Sequence, residues 1–190
     1  LNVDSERCYP DEPGGIARTV AELAGAGAAG CSIEDYDPAT DALEGLAEAS
    51  ARVAEAAEAA HALPDPLVLT ARAENHLYGI DDLDDTIARL VAFRAAGADV
   101  VYAPGLVRAS AIARVVDEVG LPVNVLALPT TPPLPELAAL GVRRVSTGSL
   151  LTSAAYGALV AAARELQGPG TSDYARRGLT TDERRAFDSA

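Results

Sequence analysis

Four times in this chain a segment of helical periodicity closes on a glycine and is followed at once by a short apolar run. The corners are Gly27 before residues 28–33, Gly97 before 98–103, Gly120 before 121–126 and Gly141 before 142–146. Glycine is the usual residue just past a helix C-terminus, where the backbone turns left-handed, so each corner predicts a passage from helix to strand. The helical segments are 13–26, 40–62, 83–96, 108–119, 134–140 and 150–166. Pro13 at the start of one, and Asp81 and Asp82 ahead of another, suit helix N-termini. The intervening runs are continuously apolar rather than alternating, as expected of parallel strands covered on both faces. The order is (βα) six times.

Six units admit either an open doubly wound sheet or part of an eightfold barrel. An open sheet concentrates its site at one switch point, whereas a barrel assembles it from the C-terminal ends of many strands. Here the strand ends carry Asp4 and Glu6, then Glu34 and Asp35, then Arg72, Glu74 and Asn75, then Asn124, then Thr147 and Ser149. That spread predicts an α/β fold of the (β/α)8 TIM-barrel type with about six βα units visible. Methionine is absent and residues 1–3 have the character of mid-strand, so a barrel incomplete at its N-terminus is expected. The barrel is expected to occupy residues 1–166. Residues 167–190, opening on Gly168-Pro169-Gly170-Thr171-Ser172, are expected to be a linker and a short C-terminal helix or tail.

Composition narrows the chemistry. The 190 residues, 49% of them hydrophobic, are enough for one domain with a substantial core. The 28 acidic against 15 basic residues, a formal charge of −13, argue against nucleic acid or an anionic membrane as partner and favour small ligands. Every basic residue is arginine, which leaves no lysine in the visible barrel for a Schiff base, a pyridoxal phosphate anchor or a P-loop. Cys8 and Cys31 form neither a zinc pattern nor a disulfide framework. No charge-free apolar run reaches about 18 residues and no signal peptide opens the chain, so a cytoplasmic location is expected.

Asp4 and Glu6 lie two apart on a strand and share a face directed into the barrel mouth. Glu34 ends the adjacent strand. Three converging carboxylates repel one another unless a cation lies between them, and hard oxygen ligands select Mg²⁺. The alternative is that Glu6 pairs with Arg7 or Arg72 and no metal binds. Arg72 faces the same mouth, and its fork suits a carboxylate or phosphonate; a salt bridge to Glu34 or Glu74 is the structural alternative. Cys31 is expected in the core, Cys8 is a candidate thiol and His61 a surface residue. His76, in the loop after Arg72, is a candidate for proton transfer.

Taken in order, Val3-Asp4-Ser5-Glu6, Gly30-Cys31-Ser32-Ile33-Glu34-Asp35, Leu69-Thr70-Ala71-Arg72, residues 97–105 (GADVVYAPG) and Pro122-Val123-Asn124-Val125-Leu126 resemble the isocitrate lyase and phosphoenolpyruvate mutase superfamily. The likeness runs from residue 1 to about 166 and is similar to the short bacterial phosphomutase-like members. It implies a barrel seen from about its third strand to its eighth helix, with that helix exchanged between subunits of a homo-oligomer, and a Mg²⁺ ion that helps hold a 2-oxo acid. It implies Asp4, Glu6 and Glu34 as the magnesium shell, Arg72 with Glu34 as catalytic residues, and Arg72, Asn124 and Glu74 as contacts to a 2-oxo acid or phosphonate substrate. The implied reaction makes or breaks a C–C or P–C bond beside the oxo acid through an enolpyruvate-like intermediate.

Departures from the family pattern set the reaction apart. Authentic isocitrate lyases carry a Lys-Lys-Cys-Gly loop after the Glu-Asp strand end, whereas here residues 36–40 are expected to run straight into a helix with no cysteine. The glycine-rich sequel to the acidic strand is replaced by Arg7-Cys8-Tyr9. The alternative function is a catalytically silent barrel that binds a small oxo acid as a sensor or partner subunit.

Overall fold

The structure, a computed structural model, describes residues 1–188. In chain order the first part comprises β1 (Asn2–Asp4), α1 (Gly15–Gly25), β2 (Gly30–Glu34), β3 (Tyr36–Asp37), β4 (Ala42–Leu43), α2 (Leu46–His61), β5 (Val68–Arg72), α3 (Leu83–Ala95), β6 (Val100–Tyr102), α4 (Ala109–Val119), β7 (Val123–Leu126), α5 (Leu134–Ala139) and β8 (Arg144–Ser146). The six long-range strands form one parallel sheet in the order β1-β2-β5-β6-β7-β8, each joined to the next by a helix. All four corner glycines take positive φ, from +71° at Gly120 to +103° at Gly97, as the helix-to-strand turns require.

The sheet curls. Arg144 Nη1 on β8 donates to Thr70 Oγ1 on β5 at 2.7 Å, although three strand steps separate them. At about 4.8 Å per step a flat sheet would hold those backbones about 14 Å apart. Arg72 on β5 likewise reaches Asp4 on β1 across β2. The strands are consecutive staves of an incomplete (β/α) barrel, and these polar side chains line its concave face.

The opposite, convex face carries the core. Cys31, Ile33, Leu69, Ala71, Val101, Val123 and Val125 pack against Ile16 and Val20 of α1, Val53 and Ala56 of α2, Leu90 and Phe93 of α3, and Ile112 and Val115 of α4. The strands therefore alternate, contrary to the expectation of apolar runs on both faces. Ser32, Thr70 and Asn124 are buried but point inward with the polar set.

A second difference falls after β2. Residues 40–45, expected to be helical, instead complete a hairpin in which Tyr36 pairs with Leu43 and Asp37 with Ala42. Helix α2 starts only at Leu46, and Glu44 explains why the hairpin persists. Buried to 7% exposure, its carboxylate takes Arg7 Nη2 at 2.5 Å and also accepts from Arg52. Its backbone carbonyl accepts from Arg89 Nη1 at 3.0 Å.

The second unit, from Thr147 onward, contains α6 (Leu150–Gln167), a 3-10 turn (Asp173–Arg177) and α7 (Thr181–Asp188). Within it Glu165 accepts from Thr171 Oγ1, the Tyr174 N–H and Arg177 Nη2, which folds the 3-10 turn back on the end of α6. Among the described residues, no helix is long and apolar enough to cross a membrane.

Candidate active site at the C-terminal ends of the strands

Strand register places one row of side chains across five staves: Glu34 opposite Arg72, Arg72 opposite Tyr102, Tyr102 opposite Asn124 and Asn124 opposite Arg144. Asp4 stands two residues short of that row, opposite Ser32, whose hydroxyl donates to Asp4 Oδ1 at 3.0 Å. Arg72 is the hub. Its Nη1 is 2.7 Å from Asp4 Oδ1, its Nη2 3.1 Å from Glu34 Oε2 and its Nε 2.6 Å from Glu74 Oε1, while its guanidinium lies over the Tyr102 ring, 5.5 Å from the centroid. The structure thus unites Asp4, Glu34, Arg72 and Glu74, and gives the guanidinium three carboxylate partners.

Burial differs sharply among those partners. The Asp4 side chain is 69% exposed, whereas Glu34 and Arg72 are nearly enclosed and Glu74 is fully buried. Burial raises the Glu74 pKa to about 7 against the opposing pull of Arg72, with Glu34 and Asp35 adding repulsion. Burial likewise pushes Glu34 up, opposed by Arg72 and reinforced by Asp4 and Glu6. For Arg72 burial works against the cation, but Glu74, Glu34 and Asp4 outweigh it and raise its pKa.

Behind the row, two buried arginines hold the backbone. Asp35, 1% exposed, accepts the Glu74 N–H at 2.9 Å with one oxygen and Arg89 Nη1 at 3.0 Å with the other. Arg89 Nε also meets Asp85 Oδ2 at 2.7 Å, and the same oxygen takes Asn75 Nδ2 at 2.8 Å. Arg52 Nη2 donates to the Glu34 carbonyl at 2.9 Å. The main chain that carries Glu34 and Glu74 is therefore bracketed from the adjacent helices α2 and α3.

Asn124 donates to Ser146 Oγ at 3.0 Å while its Oδ1 is buried without a partner, as is Glu74 Oε2. Such orphaned acceptors are uncommon and suit a ligand or a bridging group. Glu6 is exposed. Its backbone carbonyl accepts from the Glu34 N–H at 2.9 Å, but its carboxylate makes no ion pair among the described residues, and Arg7 instead engages Glu44 and Asp37. Glu6, Cys8 and Tyr9 adopt positive φ of 47°, 56° and 48°, so the turn after β1 keeps a glycine-like backbone without glycine. Ser5 Oγ ties it to the Ser32 carbonyl at 2.5 Å.

His76 lies away from the rim cluster, with Thr86 Oγ1 at 3.3 Å and Asp81 at 3.5 Å from its ring nitrogens. His61 Nε2 is 3.1 Å from Asp99 at the end of α2. Cys8 and Cys31 are both fully buried. Tyr102, Ser32, Ser146 and Asp35 are site residues that the sequence reading gave no role. For Ser32 and Ser146 the signal is spacing, since they lie two residues from Glu34 and Arg144 and so share their faces, whereas Asp35 directly follows Glu34 and has no such signal.

The donor set bears on magnesium. Among the described residues no three His, Cys, Asp or Glu side chains are arranged as a metal-binding group. The chemistry nevertheless fits a hard cation: three carboxylates touch one guanidinium, leaving surplus negative charge, and both contacts to Asp4 fall on Oδ1.

A family model described as phosphoenolpyruvate phosphomutase matches residues 1–167. An oxaloacetate decarboxylase of Paraburkholderia xenovorans is 38% identical over 156 residues, covering 78% of this chain and 50% of that protein. A crystal structure of a provisionally named lyase/mutase from Burkholderia cenocepacia J2315 superposes with a TM-score of 0.90 at 46% identity, covering all of this chain and 69% of that one. A phosphonopyruvate hydrolase crystallised with oxalate and Mg²⁺ shares the fold, with a TM-score of 0.78 at 23% identity over 100% of this chain and 68% of that one. The chain spans 50–60% of the length of the curated relatives it matches. With a family match over residues 1–167 and the same barrel staves in its structural neighbours, this chain belongs to the phosphoenolpyruvate phosphomutase family.

Proposed function

We propose that this chain forms the charged rim of a Mg²⁺-dependent lyase- or mutase-type site that acts on the bond beside the carbonyl of a 2-oxo acid. The observation that carries it is Arg72, enclosed at the strand ends and engaged at once by Asp4, Glu34 and Glu74. Asp4 is the replaceable partner. An exposed ion pair contributes only about 0–1 kcal/mol, so an incoming carboxylate can take Nη1 while the buried Glu74 contact persists. The Arg72 fork then orients the acid, and Tyr102 beneath it fixes the plane of the guanidinium. Asn124 Oδ1 is an open acceptor in the same row, and Glu74 Oε2, titrating near neutrality, can hold or release a proton there.

Asp4 and Glu34, with Glu6 on the adjoining turn, are the residues that would hold magnesium. When bound, the ion would supply positive charge for an enolate oxygen. Two relatives support the substrate class, one named for oxaloacetate decarboxylation and one crystallised with oxalate and Mg²⁺. The reading includes a homo-oligomer formed through the eighth helix, here α6.

Calorimetric titration of Mg²⁺ and oxalate tests the proposal. Wild type is expected to bind oxalate only in the presence of Mg²⁺, Asp4→Ala to lose the metal dependence, and Arg72→Lys to bind oxalate about tenfold or more weakly through loss of the fork. Identical, featureless heats from all three would reject it. Binding of oxaloacetate without pyruvate release would favour the silent-barrel alternative.

A further inference from the structure

The loop that follows Arg72 presents apolar surface beside the charged row. Leu77, Tyr78 and Ile80 are 51%, 45% and 43% exposed, within six residues of the fully buried Glu74. The Leu77 and Tyr78 N–H groups both bond back to the Glu74 carbonyl, at 3.1 and 3.2 Å, so this loop is built directly on a rim carboxylate. Its backbone is buttressed from β6's end. Gly105, at φ +85°, packs so closely that a Cβ there would lie 2.9–3.0 Å from the His76 and Leu77 main chain.

Tyr78 is not loose surface. Its ring stacks on Tyr36, with centroids 3.5 Å apart and planes 10° from parallel. Tyr36 is 9% exposed, its hydroxyl donates to Asp41, and it stands on the hairpin that Glu44 fastens to Arg7, Arg52 and Arg89. One face of Tyr78 is thus backed by a buried ring, and the side chain remains half-exposed. The phenol feels the rim: desolvation and then the Glu34 and Glu74 carboxylates raise its pKa, with Arg72 opposing. The backed aromatic ring therefore stands on a loop built on the same Glu74 whose carboxylate holds the Arg72 guanidinium.

Neither oxalate nor pyruvate has a group that uses such a platform. From this juxtaposition we propose that Tyr78, backed by Tyr36, is a specificity wall, and that the preferred ligand is a 2-oxo acid bearing a planar or bulky apolar substituent on the carbon beyond the carbonyl. The inference rests on the oxo-acid reading above and names its substrate class. Stacking or apolar contact with a held ring is expected to tighten binding about threefold to tenfold.

Titration of the chain in Mg²⁺ buffer with oxalate, pyruvate and phenylpyruvate separates the two claims. In wild type phenylpyruvate is expected to bind about tenfold more tightly than pyruvate. Tyr78→Phe should keep that preference and Tyr78→Ala should abolish it, with oxalate affinity the same in all three proteins. Phenylpyruvate binding no tighter than pyruvate, in a protein that still binds oxalate, overturns the wall alone. A Tyr78→Ala protein that weakens oxalate and phenylpyruvate equally also overturns it, since the residue would then support the rim rather than select the substituent. Failure of wild type to bind any of the three acids overturns the oxo-acid reading and the wall together.

Discussion

Glu74 places one carboxylate oxygen on Arg72 and leaves the other, fully buried, without a hydrogen bond. Its pKa of about 7 in the fold exceeds the ordinary value of 4.5, with burial as the main cause. The native chain therefore binds this proton more tightly than the unfolded chain does. The stability that Glu74 contributes is fully present below about pH 4.5 and is lost as pH rises through about 7. In chelator-containing buffer, urea midpoints should fall across that window by more in wild type than in Glu74→Gln. Parallel pH curves for the two proteins would show that Glu74 stays ionised throughout and that Arg72 compensates its burial in full. The surrounding residues divide by what a sequence can express. Asp4, Glu34 and Arg72 were readable because each closes an apolar run, where a charge needs a reason. Asp35 and Asn124 were harder to interpret, because what distinguishes them is the buried hydrogen bond that each makes or lacks, and that depends on Glu74 and Ser146, which are 39 and 22 residues away in the chain.

The βα units were evident in the sequence because their signals are local: a helical period, a glycine that can turn left-handed, an apolar run. The β3–β4 hairpin was not. Residues 40–62 are rich in alanine and fit helical periodicity, and the hairpin is held in part from a distance, where Glu44 meets Arg7 and Arg52 and Arg89 reaches its carbonyl, partners up to 45 residues away. Alternation along the strands was masked for a related reason, since buried Ser32 and Thr70 are small enough to pass for core positions. The arginines on α2 and α3 are thus part of how the site is carried, and their contribution can be compared with that of a surface pair. Arg89→Met strands Asp35 in a site only 1% exposed and should cost about 3–5 kcal/mol in a chemical denaturation experiment. Arg114→Met removes two pairs whose side chains are 44–86% exposed and should cost no more than about 1 kcal/mol. Equal losses would show that the Asp35–Arg89 pair is as solvated as a surface pair and that the bracket behind Glu74 is not rigid.

A formal charge of −13 makes self-association of this chain unfavourable at long range, and low salt strengthens that repulsion. Helix α6 departs from the rest of the chain in this respect. Its 18 residues carry one arginine and one glutamate, so the helix is itself neutral, and none of its residues is buried. Leu151, Tyr156, Leu159, Val160 and Leu166 are 45–68% exposed and, at about 100° per residue, fall within about half the circumference of the helix. Full burial of a side chain of this size is worth about 1.5–3 kcal/mol, so a second copy covering this stripe could offset the repulsion between two acidic chains. Sedimentation equilibrium is expected to show a dimer or larger assembly that strengthens as salt is raised, because screening weakens the repulsion while leaving the apolar contact intact. Leu159→Glu, which puts a charge at the middle of the stripe, should shift the equilibrium towards monomer while leaving oxalate binding at Arg72 unaltered. If wild type sediments as a monomer at every concentration and salt level, the exchanged-helix oligomer is excluded. If instead Leu159→Glu assembles as wild type does, the assembly forms through a surface other than α6.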